Sequence, residues 1–212
     1  MIYFAENLNI KIRNMLNWLL ELDKDLFLYL NGKHSPVWDC IMWWISGKTS
    51  WIPLYVVLLF IIIYRERPYK FIYAIVFLAI VVLLCDQISV VIKNMLERPR
   101  PTHDPIIADM AHIVNDYRGG KFGFVSSHAA NCFGVAAFLS FWFKRYKWTL
   151  FLMAWATIVS YSRIYLGVHY PLDIICGALL GIMTGVICYV CKIQAMTYIE
   201  RKIENRRSRK NS

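Results

Sequence analysis

Two histidines in the second half of the chain stand beside residues that can orient or assist them. His128 follows a pair of serines and leads into a long uncharged segment. His169 lies four residues before Asp173, and Pro171 between them suits the first turn of a helix. At this spacing the carboxylate of Asp173 can reach one ring nitrogen of His169 and fix its tautomer. The other nitrogen is then free to attack, which predicts a nucleophilic histidine.

Basic residues near the ends of the uncharged segments favour an anionic ligand beside these histidines. Three cations are expected on the same side of the molecule: Lys93, Arg100 and Arg163. A guanidinium presents a planar fork that matches phosphate oxygens, whereas an ammonium supplies a point charge. Ser126 and Ser127 precede a helix whose free backbone N–H groups also bind anions. The sequence therefore predicts a phosphate cradle, with His128 beside it as an acid or a base.

Composition places this chemistry in a membrane protein. The chain has 212 residues, of which 58% are hydrophobic and only 18% are charged. Its mean hydropathy of +0.43 is too high for an ordinary soluble domain. Most of the six cysteines lie in apolar segments, where cysteine behaves as a small hydrophobic residue. Cys188 and Cys191 form a C-x-x-C pair, but without a nearby histidine this pair does not favour a metal or redox site.

Five uncharged segments of 15 to 18 residues can each form a transmembrane helix. They cover residues 49–64, 71–85, 129–143, 148–162 and 174–191. Each is slightly short for a hydrocarbon core of about 30 Å, so we expect each helix to extend by a turn or two. The extension brings Lys93, His128 and Arg163 to helix ends, where polar groups snorkel or line a site. We therefore predict an all-α, multi-pass transmembrane bundle of five spans.

The distribution of basic residues predicts the orientation of the spans. Of the 24 lysines and arginines, 13 lie in segments 65–70, 144–147 and 192–210. The 97–127 loop, on the other side, carries four basic and four acidic residues. The positive-inside rule then places the basic side in the cytoplasm and the histidines outside. Anionic lipid is enough to explain the basic tail, so we expect no nucleic-acid partner.

The first 48 residues are expected to lie at the membrane interface. Apolar residues recur at helical spacing over 9–31, with charged residues between them, which is typical of an interfacial amphipathic helix. The tryptophan-rich segment 37–46 is too short to span. Alternatively, these pieces form a sixth span and reverse the location of the N-terminus. The predicted organisation is N-terminal interfacial helices at 1–48, a transmembrane domain at 49–192 and a basic cytoplasmic tail at 193–212.

Each candidate residue also has a simpler interpretation. Lys93 and Arg163 taken alone can snorkel, and Ser126 or Ser127 taken alone can cap a helix. A zinc site at the histidines is disfavoured because three nearby cations would repel the metal. Asp86 lies about 10 Å from Lys93 along a helix and is interpreted as a hydrogen-bonding partner elsewhere in the bundle. The joint occurrence of the other residues on one side of the membrane favours a functional site.

Two motifs resemble those of the type 2 phosphatidic acid phosphatase family, whose fold is related to that of the vanadium haloperoxidases. The first motif, a lysine, six residues and Arg-Pro, is met over 93–101, and the Arg-Pro at 98–99 offers an alternative register. The motif Ser-Arg, five residues, His, three residues, Asp is met in full over 162–173. The resemblance covers roughly residues 50–192 and identifies 49–192 as a lipid phosphatase domain.

A third motif of the family, Pro-Ser-Gly-His, is matched with two differences. Residues 125–128 read Val-Ser-Ser-His, so Val125 replaces the proline and Ser127 replaces the glycine. Loss of the proline reduces the rigidity of the turn. Serine still supplies a backbone N–H, but it disfavours a positive φ that glycine would tolerate.

The resemblance implies a role for each residue. His169 attacks phosphorus and becomes a phosphohistidine, Asp173 orients it, and His128 protonates the leaving group and then activates water. The phosphoryl oxygens are expected to be held by five residues: Lys93, Arg100, Ser126, Ser127 and Arg163. Fixed cations stabilise the charge that spreads over the equatorial oxygens, so neither a metal nor another cofactor is expected.

The leading hypothesis is an integral phosphatase of the bacterial inner membrane, with its site facing the periplasm or the cell exterior. Its substrate is a lipid phosphate or diphosphate, with undecaprenyl diphosphate as the first choice. Lipid A, phosphatidylglycerophosphate and phosphatidate are the alternatives. A non-catalytic lipid-phosphate binding or transport protein is the alternative from another class, although binding alone does not require His128 or the His169–Asp173 pair. The membrane spans disfavour a haloperoxidase, and the oligomeric state stays open.

Overall fold

A computed structural model describes residues 2–65 and 68–211, so Arg67 of the first basic loop lies outside the described residues. Within these ranges the chain is helical and has no β-strand, only an isolated bridge between Pro99 and Phe122. The predicted all-α class is therefore confirmed. The helices are α1 (Ile2–Asn31), α2 (Pro36–Ser46), α3 (Ile52–Arg65), α4 (Pro68–Leu96), α5 (Ser127–Phe143), α6 (Tyr146–Tyr165) and α7 (Pro171–Asn211).

The centre of the bundle is α5, which packs against α4, α6 and α7. Eleven of its 17 residues are buried because it is surrounded on several faces. The core around it draws on the five helices α3 to α7 and includes Val81, Cys85, Phe138, Leu152, Ala156 and Cys188. A buried α5 holds its first residues, where Ser127 and His128 lie, in a fixed position relative to the neighbouring helices.

Glycines on α7 bring this helix very close to α5. Gly177, Gly181 and Gly185 recur every four residues and face α5. A Cβ atom at Gly181 would lie 2.2 Å from the carbonyl oxygen of Ala130, and one at Gly177 would lie 2.6 Å from that of Ser126. Such stripes of small residues let membrane helices approach until their backbones touch. The close approach fixes the start of α5 against the start of α7.

Two of the described helices are long and apolar enough to cross a membrane by themselves: Phe71–Leu96 within α4 and Pro171–Arg206 within α7. Helix α2 and the segment Thr49–Arg65 meet at a bend of 74° and qualify together as a third. Helix α5 has only 17 residues, and α6, although its 20 residues are long enough, is not apolar enough to qualify. The described residues thus contain two or three candidate spans by length and composition, and the count of five or six spans stays a prediction.

The N-terminal helices reach the end of the bundle that carries the histidines. Side chains from residue 10 to residue 22 of α1 are exposed, whereas Asp23, Phe27 and Asn31 are buried where α1 meets α6 and α7. Helix α2 packs against α6. At the other terminus, α7 continues unbroken through residue 192, so the predicted basic tail extends the same helix.

Candidate active site

His169 and Asp173 are in contact, as their spacing predicts. His169 lies on the turn between α6 and α7, and its Nδ1 is 3.3 Å from Oδ2 of Asp173. The same carboxylate oxygen accepts a hydrogen bond of 3.0 Å from the backbone N–H of Tyr170. Both side chains are almost fully buried. The first turn of α7 therefore holds the carboxylate against the ring.

Arg100 defines the tautomer of His169. Its Nη1 lies 3.3 Å from Nε2 of His169, and since a guanidinium only donates, Nε2 is the acceptor and Nδ1 carries the proton toward Asp173. Burial, together with the nearby cations Arg100 and Arg163, lowers the pKa of His169 well below its ordinary value. The imidazole is thus neutral, with its Nε2 lone pair directed at a cation.

Carbonyl oxygens hold Arg100 in this position. Arg100 Nε donates to the carbonyl oxygen of Phe122 at 3.1 Å, and Nη1 donates to that of Val168 at 3.3 Å. Of the two arginines in the Arg-Pro-Arg-Pro segment, it is Arg100 that faces His169. This arrangement favours the match of the first family motif that runs from Lys93 to Arg100 over the alternative that uses Arg98.

Lys93 and Ser127 meet where the last turns of α4 pass the start of α5. The ammonium of Lys93 donates to Oγ of Ser127, which also lies 2.6 Å from Oγ of Ser89. Ser127 is the first residue of α5 and has a helical conformation, so it does not require the positive φ that a glycine would tolerate. Replacement of the family glycine by serine therefore costs no backbone strain here.

Ser126 connects the two helix starts. It is fully buried, its Oγ caps α5 by accepting from the N–H of Ala129 at 3.4 Å, and its own N–H donates to the carbonyl oxygen of Asp173 at 3.0 Å. These are the contacts of a helix cap. They also place the next residues of the motif, including His128, beside the first turn of α7.

Arg163 and His128 line one cavity of about 230 Å³. Arg163 is 4% exposed, its Nη1 donates to Oγ of Ser46, and its Nη2 donates to the hydroxyl of Tyr117 at 3.3 Å. Within the part of the chain that the structure describes, its Nε is buried and has no hydrogen-bond partner. Buried donors are normally satisfied, so this N–H is suited to an anionic oxygen from a ligand.

Arg98 lies behind the catalytic candidates and has a role that no motif predicted. Its guanidinium bridges two buried carboxylates, with Nη1 2.8 Å from Asp173 Oδ1 and Nη2 2.6 Å from Asp23 Oδ2. The guanidinium also lies over the ring of Tyr170, 4.4 Å from its centroid. The other oxygen of Asp23 accepts from the N–H of Leu172 at 2.8 Å. The repeated Arg-Pro signalled two arginines, but no motif pointed to Asp23, Ser46 or Tyr117.

The remaining polar candidates lie apart from this cluster. Asp86 is exposed on α4, and its main-chain carbonyl accepts a hydrogen bond of 2.8 Å from Ser89 Oγ. This exposure corrects the expectation that its side chain bonds inside the bundle. Cys188 is buried and Cys191 is exposed. Among residues 2–65 and 68–211, no group of three or more His, Cys, Asp or Glu side chains is arranged to hold a metal.

Comparison with known proteins finds relatives over most of the chain. The PAP2 superfamily profile matches residues 71–196. The lipid A 4'-phosphatase of Bacteroides thetaiotaomicron is 38% identical over 177 residues, which cover 82% of this chain and 79% of that protein. The lipid A 4'-phosphatase of Porphyromonas gingivalis is 36% identical over 177 residues, which cover 82% and 74%.

A solved structure shares the fold. The first transmembrane PAP2 type phosphatidylglycerolphosphate phosphatase from Bacillus subtilis is similar with a TM-score of 0.67 at 18% identity. The match covers 84% of this chain and 88% of that protein. The likeness therefore extends beyond the profile match, which begins at residue 71.

Proposed function

The chain belongs to the PAP2 superfamily and is a membrane phosphatase, and we propose that it removes a phosphate from lipid A or a similar phosphorylated sugar lipid. Two relatives named lipid A 4'-phosphatase, each aligned over 82% of this chain, support this substrate. They favour the lipid A alternative over undecaprenyl diphosphate, the first choice from the sequence.

The proposed mechanism begins with capture of the phosphate by fixed cations. The observation that carries it is the position of Arg163, whose buried Nε is unpaired within the described residues and whose side chain lines a cavity with His128. Phosphoryl oxygens would bond to this N–H, to Arg100, and to the Lys93–Ser127 pair, while Ser126 caps the helix that presents backbone N–H groups. Charge that develops on the equatorial oxygens is stabilised in place.

Transfer to His169 is the next step. Nε2 attacks phosphorus while the bond between phosphorus and the leaving sugar oxygen breaks, and Arg100 moves from Nε2 to a phosphoryl oxygen. His128 gives its proton to the leaving oxygen, which departs as a hydroxyl group. Asp173 accepts the Nδ1 proton in a hydrogen bond and stabilises the positive charge of the phosphorylated ring.

Hydrolysis completes the cycle. His128, now neutral, takes a proton from a water molecule that attacks phosphorus, and the bond between phosphorus and Nε2 breaks. Inorganic phosphate leaves and His169 returns to its neutral form. We propose that Lys93, Arg100 and Arg163 supply all the positive charge that the reaction needs, without a metal ion.

The proposed setting is a bacterial inner membrane that the chain crosses five times. Helices α3 to α7 would form the spans, α1 would lie at the outer interface, and the basic end of α7 would extend into the cytoplasm. The exposed apolar side chains of α1, among them Met15, Leu16 and Trp18, support an interfacial position. In this orientation the histidines face the periplasm.

Phosphate release from a panel of lipids by the purified protein in detergent tests the proposal. The panel contains lipid A, undecaprenyl diphosphate, phosphatidylglycerophosphate and phosphatidate, and His169→Ala is the matched inactive control. We expect the highest kcat/KM with lipid A. A higher kcat/KM with undecaprenyl diphosphate would restore the first choice, and binding of all four lipids without phosphate release would indicate a non-catalytic protein.

A further inference from the structure

We infer that the cavity beside His128 and Arg163 binds the sugar ring that carries the reacting phosphate, through Trp43, Tyr117 and Lys48. This inference rests on the proposed function and assigns to the same site a recognition surface outside the shared motifs. The wall of the cavity comprises Trp43, Ser46, Gly47, Lys48, Tyr117, His128, Arg163 and Leu166.

The cavity combines residues that perform chemistry with residues that the chemistry does not need. His128 and Arg163 belong to the region matched by the family profile, whereas Trp43 and Lys48 come from α2 and the turn after it, before residue 71. An N-terminal segment that contributes half of the wall can distinguish one head group from another without altering the phosphoryl-transfer machinery. Substrate recognition is therefore the favoured role of Trp43 and Lys48.

Tyr117 sets the distance between the ring and the phosphate. Its hydroxyl accepts a hydrogen bond of 3.3 Å from Nη2 of Arg163, and the Arg163 guanidinium lies 5.5 Å from the centre of its ring. The ring of Trp43 meets Tyr117 edge to face, with 5.6 Å between centroids. When the phosphate binds Arg163, the sugar that carries this phosphate therefore lies against Tyr117 and Trp43.

The chemistry of the wall matches a sugar better than a lipid chain. Trp43 is 40% exposed and Tyr117 is 36% exposed, so flat apolar faces remain open beside polar N–H and O–H groups. A pyranose presents the complementary pattern, with a face of C–H groups and a rim of hydroxyls. Lys48 is exposed at the same wall and supplies an ammonium donor, which a hydrocarbon tail would not accommodate.

The cavity has the size of a small ligand such as one sugar ring. Its volume of about 230 Å³ is below the range of roughly 300–1,000 Å³ that is typical of sites for drug-sized ligands. The acyl chains must therefore leave the site in another direction. Lys48 then lies beside the ring hydroxyls and any further anionic group on the same sugar.

Substrate preference of the purified full-length protein tests this inference. Lys48→Ala and Trp43→Ala are compared with the exposed controls Lys147→Ala and Trp38→Ala, which lie outside the cavity. We expect the ratio of kcat/KM for lipid A to that for phosphatidate to fall roughly tenfold in the cavity variants, as for loss of one charge-assisted or aromatic contact. The control variants should keep the wild-type ratio, and thermal unfolding confirms that all four fold.

A soluble competitor separates failure of the inference from failure of the proposed function. Glucosamine 4-phosphate should compete with phosphatidate in the wild type, and the cavity variants should require a roughly tenfold higher concentration for the same inhibition. If the wild type hydrolyses lipid A but neither ratio nor competition changes in the variants, the sugar subsite is wrong. If the wild type does not hydrolyse lipid A but competition weakens in the variants, the subsite stands and the proposed substrate is wrong.

Discussion

Arg98 donates a 2.8 Å hydrogen bond to Oδ1 of Asp173, while His169 contacts Oδ2 of the same carboxylate at 3.3 Å. Both oxygens of Asp173 are therefore engaged, and the group cannot rotate without breaking an ion pair. Asp23, at 2.6 Å from the other end of the guanidinium, holds Arg98 in place. Helix α1, which carries Asp23, thus helps to position Asp173, the residue that orients the proposed nucleophile His169.

Replacement of Arg98 should lower kcat more than it changes KM. A lysine offers one nitrogen in place of the two that separately bond Asp173 and Asp23. Arg98→Lys should therefore reduce kcat by roughly 10-fold to 100-fold through a loosened Asp173. Arg98→Ala leaves two buried carboxylates unpaired and should cost about 3–5 kcal/mol of stability. Steady-state kinetics and thermal unfolding measure the two effects.

The exposed Arg118 provides the matched control for this series. Arg118→Lys should leave kcat, KM and the unfolding temperature unchanged. If Arg98→Lys raised KM and left kcat as in the wild type, Arg98 would act on substrate binding and the positioning role would be wrong.

His169→Ala should abolish turnover because it removes the atom that attacks phosphorus. His128→Ala should retain some activity, lower by roughly 10²–10⁴-fold, the usual contribution of a general acid or base. Rapid quenching in alkaline denaturant, in which the N–P bond is stable, with a substrate radiolabelled in the phosphate should trap a phosphohistidine in the wild type. Label that persists in His169→Ala would place the nucleophile elsewhere.

Chelation should leave the activity intact, because Lys93, Arg100 and Arg163 supply the positive charge around the phosphate. Phosphate release is measured in excess EDTA, with and without added divalent metal. Orthovanadate should inhibit, since it resembles the transferring phosphoryl group. Activity that is lost in EDTA and regained with zinc would support a metal site instead.

The local parts of this site could be predicted from the sequence, whereas its long-range contacts could not. The His169–Asp173 contact follows from a four-residue spacing at a helix start. Four of the five uncharged segments lie within helices α4 to α7, and the first covers α3 together with the short 3-10 turn before it. The bridge from Arg98 to Asp23 joins residues 75 positions apart, and the contact of Arg163 with Ser46 spans 117 positions. Periodicity and motif spacing describe one element at a time, so they do not indicate how α1 and α2 return to the bundle.

Close packing of α5 and α7 gives a prediction about stability. In Gly181→Ala the added methyl group would lie 2.2 Å from a carbonyl oxygen of α5, and the two helices must separate to accept it. Overpacking of this kind typically costs about 1–3 kcal/mol, and the unfolding temperature in detergent should fall. Gly120→Ala is the control, because an added Cβ there meets nothing within 4 Å. Equal unfolding temperatures for the two variants would contradict the close helix pair.

The proposed orientation predicts which residues an impermeant reagent reaches in intact spheroplasts. The 97–127 loop should face outward and the basic end of α7 should face the cytoplasm, because the basic residues concentrate on the side of that helix end. Gly120 is exposed with open space around it, and Ser208 is exposed near the end of α7, so each tolerates a labelled side chain. In a chain without its six native cysteines, Gly120→Cys should react with an impermeant maleimide and Ser208→Cys should react only after lysis. The reverse pattern would put the histidines in the cytoplasm, where the proposed substrate would have to present its phosphate in the inner leaflet.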